Sequence, residues 1–177
     1  MSALRPRAGN VCPNIDLLRG FERREMDLIL AAAKVRRFPA KSVMTYQGEP
    51  ADHLLLLWKG RARYFFETPN GKKLIMIWIT PGHSFGGAAL STRPSPYLLG
   101  TEAVRDSVVL AWDGATIRGL ARRFPQLLEN AIISALDYLF LVHCCPRRFV
   151  FADCAAEIGQ CSSRICIQDG RKNFRWR

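Results

Sequence analysis

Residues 47–86 read QGEPADHLLLLWKGRARYFFETPNGKKLIMIWITPGHSFG, and the rhythm of this stretch decides the fold. Gly48, Gly60, Gly71 and Gly82 recur every 11 or 12 residues. Between them lie three strand candidates: His53 to Trp58, Arg61 to Thr68 and Leu74 to Ile79. Lys59-Gly60 bounds the first. Pro69-Asn70-Gly71-Lys72 separates the second from the third and is a hairpin signal, because Asn-Gly tolerates the positive φ angles of tight hairpin turns. Pro81-Gly82 closes the third. Short strands with regularly spaced turns argue for a β-sandwich, roll or barrel. No self-similarity extends beyond that rhythm, so a repeat array is not expected.

Upstream, Val35 to Phe38 and Ser42 to Gln47 are further strand candidates. Before them, Leu17, Leu18, Phe21, Met26, Ile29, Leu30 and Ala33 have broadly helical spacing with charges between. Asn14 can cap, and Asp16 suits a first turn. The spacing predicts one or two amphipathic helices ending near Lys34, with Gly20 as the divider. Residues 1–13 are polar, basic and Pro/Gly-containing, and are expected to be a loose basic arm.

Downstream, Tyr97 to Val104 and Ser107 to Trp112 look extended. Asp113 then offers a cap, and Ile117, Leu120, Ala121 and Phe124 share a helical face. Proline is tolerated in the first turn of a helix and not in its middle, so Pro125 ends one helix and begins another. The second carries Leu128, Ala131, Ile132, Ala135, Leu136, Leu139 and Phe140, widened by Leu127 and Ile133. So wide a stripe predicts cover on two sides: the chain's own β-domain and a second copy of the helix. Burial against its own domain alone is the competing reading. The domains expected are therefore 14–112 for the β-roll with N-terminal helices, 113–143 for the short helix and dimerisation helix, and 144–177 for a tail.

The chain has 177 residues, 49% hydrophobic and 23% charged, with a net charge of +11. It is long enough to bury a core without disulfides or metal. The positive charge favours anionic partners, although a solvated basic surface explains it equally. No apolar stretch reaches the length of a membrane span, and residues 1–10 lack the apolar core of a signal peptide. A cytoplasmic protein without membrane contact is expected.

The order helix, β-roll, short helix, long apolar helix resembles the cyclic-nucleotide-binding domain of Crp/Fnr-family transcription regulators. Gln47-Gly48-Glu49-Pro50-Ala51-Asp52 resembles that family's tight turn between early strands. Leu56-Leu57-Trp58-Lys59-Gly60-Arg61-Ala62 resembles the strand and glycine turn that follow, and Asn70-Gly71-Lys72 the hairpin tip. Pro81-Gly82-His83-Ser84-Phe85-Gly86 resembles the start of the phosphate-binding cassette. The resemblance covers about residues 17–143. It implies an α+β fold, a double-stranded β-helix of jelly-roll type with N-terminal helices and a long C-terminal dimerisation helix.

It also implies a ligand site of Phe85, Gly86, Gly87, Ala88, Leu90, Gly100, Thr101, Val104 and His143, with no catalytic or metal-ligating residues. The effector would be a cyclic nucleotide or another small anion, because a glycine turn facing a short helix offers free N–H groups to a phosphate. Members that bind cyclic nucleotides carry a Glu after Phe-Gly that grips the ribose, and an Arg that pairs with the phosphate and precedes a Ser or Thr. Here those positions are Gly87 and Gly100, followed by Thr101. Losing a bidentate, charge-assisted contact predicts weak cyclic AMP binding. Arg93 and Arg105 are the candidate substitutes.

Single residues carry less. His83 reads as a solvated turn histidine or a ligand contact. His143 reads as a base contact or a helix-end histidine facing the C-terminal dipole. Tyr138 and Phe140 read as core or interface. The basic runs Lys34, Arg36, Arg37 and Arg122-Arg123 read as solvated faces.

The family's members continue into a DNA-binding helix-turn-helix domain, so DNA is expected as a partner only for such full-length relatives. After residue 143 this chain keeps 34 residues, with Cys144, Cys145, Cys154, Cys161 and Cys166 but no Cys-x-x-Cys. A disordered tail left by truncation or frameshift is expected, with a metal-binding tail as the alternative. Two other functions compete with a sensor. A cupin-like metal enzyme needs converging histidines and carboxylates, whereas His53, His83 and His143 are far apart in sequence. Non-specific nucleic-acid binding would rest on charge alone and be strongly salt-dependent.

Overall fold

The computed structural model describes residues 15–144. The basic arm expected over residues 1–13, the Asn14 cap and the tail beyond Cys144 lie outside the described residues. The chain opens with a 3-10 turn, Asp16–Leu18, and an α-helix, α1, Arg23–Ala31. Gly20, at φ +81°, divides the two, as the sequence predicts. A capping box starts α1: the Glu22 side chain accepts from the Glu25 amide, and Glu25 Oε2 accepts from the Glu22 N–H at 3.1 Å.

Six antiparallel strands follow: β1 (Lys34–Phe38), β2 (Val43–Thr45), β3 (His53–Glu67), β4 (Lys73–Ile79), β5 (Ser84–Phe85) and β6 (Gly100–Asp113). The sheet runs β1-β6-β3-β4, with β2 added to β6 and β5 to β3. This is the jelly-roll-like antiparallel fold expected from the glycine rhythm, and Gly48, Gly60, Gly71 and Gly82 all take positive φ.

Two boundaries differ from the sequence reading. His53–Trp58 and Arg61–Thr68 are not two strands; they are one, β3, of 15 residues. Lys59-Gly60 is an irregularity inside it, where the register to β6 shifts on either side of Lys59. A Cβ at Gly60 would collide with Ser107, so glycine here permits close approach of β6. Likewise 97–104 and 107–112 are joined in β6.

Two apolar clusters sit on opposite faces of the sheet. Leu55, Leu57, Ala62, Ile79, Phe85, Val109 and Ala111 fill the roll, with Tyr64, Met44 and Phe38 at its edge. Leu54, Leu56, Leu110 and Trp112 face the other way, against Leu17, Leu18, Ile29, Leu30, Ile117 and Leu127 from the helical layer. Alternation along β3 and β6 thus supplies both cores from the same strands. Trp112 ties the layers together, donating from Nε1 to Ile29 O at 2.8 Å.

Asp113 caps α2 (Gly114–Arg123), accepting from the Thr116 N–H at 2.8 Å. That hydrogen bond holds the Asp113 carboxyl below the usual carboxylate range. Pro125 then starts α3, Pro125–Cys144. Its first turns are anchored by buried Leu127 and by Asn130, whose amide donates to Leu17 O at 3.0 Å and Arg19 O at 2.8 Å. Beyond that anchor Leu128, Ile132, Ile133 and Leu136 are exposed. No helix among the described residues is long and apolar enough to cross a membrane.

Candidate functional site: the cassette and the wall opposite

The cassette begins where β5 pairs with β3, Phe85 opposite Leu55 and Ser84 opposite Leu56. Phe85 is buried in the roll. Gly86 then turns the chain at φ +78° into a 3-10 helix, Gly87–Leu90. A Cβ at Gly86 would meet His53 O at 2.6 Å and the Tyr97 ring at 3.1 Å. Only glycine meets both demands. Tyr97 closes this corner: its hydroxyl donates to His53 O at 3.0 Å and accepts from His53 N at 3.1 Å. Gly87 is different. It is exposed, and a Cβ there meets nothing within 4 Å.

β6 starts at Gly100. Gly100 pairs with Phe65 and Thr101 with Tyr64. Successive side chains alternate faces, so Phe65 and Tyr64 lie on opposite sides of the sheet. On the Phe65 side a Cβ at Gly100 would collide with three carbons of the Phe65 ring. That ring is 2% exposed, with Lys73 Nζ 4.3 Å from its centroid. Lys73 and Arg63 both pair with the Glu102 carboxylate, Arg63 Nε donating at 2.6 Å.

On the other side Tyr64 faces the roll. Its ring stands edge-on to Phe85 at 6.4 Å and to Tyr138 of α3 at 5.6 Å. Burial pushes the Tyr64 hydroxyl's pKa well up, against the pull of a backbone hydrogen bond from Gly86. Burial also raises Tyr138, aided by nearby Tyr64, Asp16 and Asp137. The Tyr138 hydroxyl reaches Ser84 O at 3.5 Å. Thr101 is 0% exposed, and its hydroxyl is the one buried side-chain polar atom among the described residues without a partner.

The residues expected at the site therefore divide. Phe85, Gly86, Gly87, Ala88 and Leu90 lie together along β5 and the 3-10 helix that follows it, and Gly100 and Thr101 lie at the start of β6. Val104 falls between the paired residues Ala103 and Arg105, at a register shift. His143 lies in α3, but its side chain is outside what is described. Of the two candidate cations, Arg93 shares a cleft with Ala88 of the cassette and Arg105 does not. Arg93 lines an open cleft of about 420 Å³ on the cassette's flank, with Arg118 and Asp52. Arg105 is exposed, opposite Arg61. His83 is a turn residue held at Nδ1 by Thr80 and at Nε2 by Asp16, 3.5 Å away.

The sequence does not single out Tyr64 or Phe65, and it reads Tyr138 as core or interface. Their signal was available only through register, since nothing in the sequence alone pairs Tyr64 with Thr101. No cluster of three metal-ligating side chains occurs among the described residues.

Comparison with known proteins agrees with this architecture. The family described as "Cyclic nucleotide-binding domain" matches residues 35–124. The chain is 28% identical over 114 residues to the cyclic AMP receptor protein of Thermus thermophilus, covering 64% of this chain and 52% of that one. It is 29% identical over 65 residues to the cAMP-activated global transcriptional regulator CRP of Pasteurella multocida, covering 37% and 31%. Among solved structures, the Thermus thermophilus catabolite activator protein superposes with a TM-score of 0.64 at 26% identity, over 75% of this chain and 61% of that one. The c-di-GMP responsive regulator CLP of Xanthomonas campestris shares the fold with a TM-score of 0.65 at 16% identity, over 75% and 66%. The chain thus spans about half the length of the Thermus relative and a third of the Pasteurella one.

Proposed function

The chain belongs to the cyclic nucleotide-binding domain family, with Crp-type regulators among its relatives, and from that premise we propose that it is the sensory effector domain of a Crp/Fnr-type regulator. It binds a small molecule between the cassette and the Gly100–Thr101 wall and catalyses no reaction. It works as a homodimer paired through α3, with residues 14–112 as the sensing roll and 113–143 as the short helix and dimerisation helix.

The observation that carries this reading is Tyr138. It stands on α3, packs edge-on against Tyr64 and reaches the Ser84 carbonyl at the start of the cassette. A ligand that moves the cassette or Tyr64 therefore moves α3. That gives ligand binding a differential contact with two helix positions, as a population shift requires. The dimer rests on the exposed row Leu128, Ile132 and Leu136, spaced four apart on one helical face. An apolar row of this kind gains by pairing with its own copy.

The pocket is altered for cyclic AMP held by ribose and phosphate. Gly87 and Gly100 supply no carboxylate and no guanidinium, and the cross-strand partners of Thr101, Tyr64 and Thr45, are neutral. Thr101 alone offers an unpaired polar group to a ligand.

Two measurements on the full chain test the reading. Light scattering should give a dimer, and Ile132→Glu with Leu136→Glu should give a folded monomer. Hydrogen exchange with cyclic AMP, cyclic GMP, cyclic di-GMP and uncharged metabolite pools should find an effector that protects the cassette and α3 together. A monomeric wild type, or an effector that protects the cassette and leaves α3 unchanged, overturns it.

A further inference from the structure

The cleft on the cassette's flank is separate from the proposed sensing pocket. Ala88, Ser91 and Arg93 line it, whereas Phe85, Gly86, Gly87, Gly100 and Thr101 do not. At about 420 Å³ it falls within the usual range of small-molecule sites. Backbone contacts fix its frame before any ligand arrives. Pro50 bridges to Pro96, Ala51 N donates to Ser95 O at 2.9 Å, and Gly48 N donates to Tyr97 O at 2.9 Å. The turn at 48–51 and the loop at 94–97 are thereby clamped together, which lowers the ordering cost of binding.

Two guanidinium groups border this frame. Arg118 of α2 is half-buried, and its Nη1 donates to Ala89 O, in the 3-10 helix, at 3.0 Å. It lies over Gly114, where a Cβ would stand 2.7 Å from that nitrogen. One donor is used, and the rest of the planar fork is held in place. Arg93 is exposed, and its guanidinium makes no hydrogen bond or ion pair among the described residues. Asp52 is the one carboxylate on the lining, and no ion pair joins it to either arginine. Ser91, Thr92 and Ser95 add hydroxyls, and Pro50, Pro94 and Pro96 add apolar surface. Two cations against one carboxylate give this concave surface an excess of positive charge.

We propose that this cleft is a second binding site, which takes a small organic oxyanion, a phosphate or a carboxylate, held by Arg93 and Arg118. The guanidinium forks supply the charge-assisted hydrogen bonds, and the proline surface takes the carbon body. The guanidinium that holds Ala89 O also meets the ligand, so binding here touches the cassette helix and α2 together. The cleft needs neither the sensing pocket nor the dimer.

Nitrogen-15 NMR titration of the full chain tests it, with inorganic phosphate in one arm and succinate in the other. Saturable shifts are expected at the amides of residues 91–95 and at Nε of Arg93 and Arg118. The tighter arm assigns the ligand as a phosphate or a carboxylate. Arg93→Gln should weaken binding roughly tenfold, and Arg118→Lys, which keeps the charge and loses the fork, by a similar factor. Asp52→Asn should tighten it roughly two- to fivefold by removing a like charge. Arg105→Gln, an exposed arginine outside the cleft, should leave it unchanged. If Arg118→Lys disturbs the fold through Ala89, the exposed Arg93 still carries the test. Absence of saturable shifts in both arms, unchanged affinity in Arg93→Gln, or equal weakening by Arg105→Gln overturns the proposal. Shifts confined to Gly86, Gly87 and Thr101 overturn it too, and place the anion in the sensing pocket instead. The sensory reading fails separately, through the oligomeric state and α3 protection.

Discussion

Gly87 and Gly100 both stand where the family resemblance expects a long polar side chain. In sequence they are equivalent losses. In the structure they are opposites. Gly87 is exposed, with nothing within 4 Å of an added Cβ. Gly100 is sealed by the buried ring of Phe65. At the first an added side chain has room; at the second a neighbour holds the space. A missing side chain thus says little about a pocket until the atoms beside it are known.

The largest expected effect breaks the sealed side. Phe65→Ala removes a buried aromatic and should destabilise the domain by about 3–5 kcal/mol in urea unfolding. Gly100→Ala in that background should add almost nothing, because the cavity accepts the new methyl. The double-mutant cycle should then return a coupling of about 1–3 kcal/mol between positions 65 and 100. Strict additivity would mean that the ring does not own the space beside Gly100.

The intermediate effect compares the two glycines directly. Gly100→Ala should cost about 1–3 kcal/mol, the usual range for overpacking a filled core. Gly87→Ala should stay within about 0.5 kcal/mol, or stabilise slightly by restricting the unfolded chain. Equal costs for the two alanines would abolish the distinction between an open and a sealed position.

What the sequence made legible was periodicity and punctuation. The glycine spacing, Asn70-Gly71, Asp113 and Pro125 act within a few residues of where they stand, so their consequences could be read locally. The β-roll and the split between α2 and α3 followed from them. Gly60 misled for the same reason: a glycine at a strand irregularity and a glycine at a turn have the same local demand, a positive φ. Only pairing with β6 reveals that β3 continues. The site was half legible. Pro81 to Gly86 pointed to the cassette through the family resemblance, whereas the packing of Tyr64 and Phe65 against Thr101 and Gly100 arises because β3 pairs with β6 more than 30 residues away in sequence. Register of that kind is a long-range property, and the apolar character of Tyr-Phe-Phe at 64–66 fits any strand.

The smallest effect belongs to the cassette side and sharpens the comparison by acid. His53 lies beneath Gly86, where its carbonyl blocks a Cβ and is held by the Tyr97 hydroxyl. Its Nε2 is 2.8 Å from Arg36 Nη2, a contact in which the guanidinium must donate and the imidazole must accept. Partial burial, and then Arg36, hold the His53 pKa below 6.5, with Lys34 adding and Asp52 and Asp113 opposing. The unfolded chain therefore takes up a proton that the folded chain resists. The resulting stability is full above the ordinary histidine pKa and is lost as pH falls from there through the folded value. Between pH 7.5 and 5.5 the wild type should lose more melting temperature than His53→Gln, whose amide still accepts from Arg36 without titrating. β6, which carries Gly100 and Thr101, has no histidine, and His53 stands at the opposite end of β3 from Tyr64 and Phe65. Acid should consequently raise amide exchange around Gly86, after correction for intrinsic rates, before it does so around Gly100. Parallel melting curves for wild type and His53→Gln would remove His53 as the cause, and simultaneous loosening of both walls would show that they open as one unit.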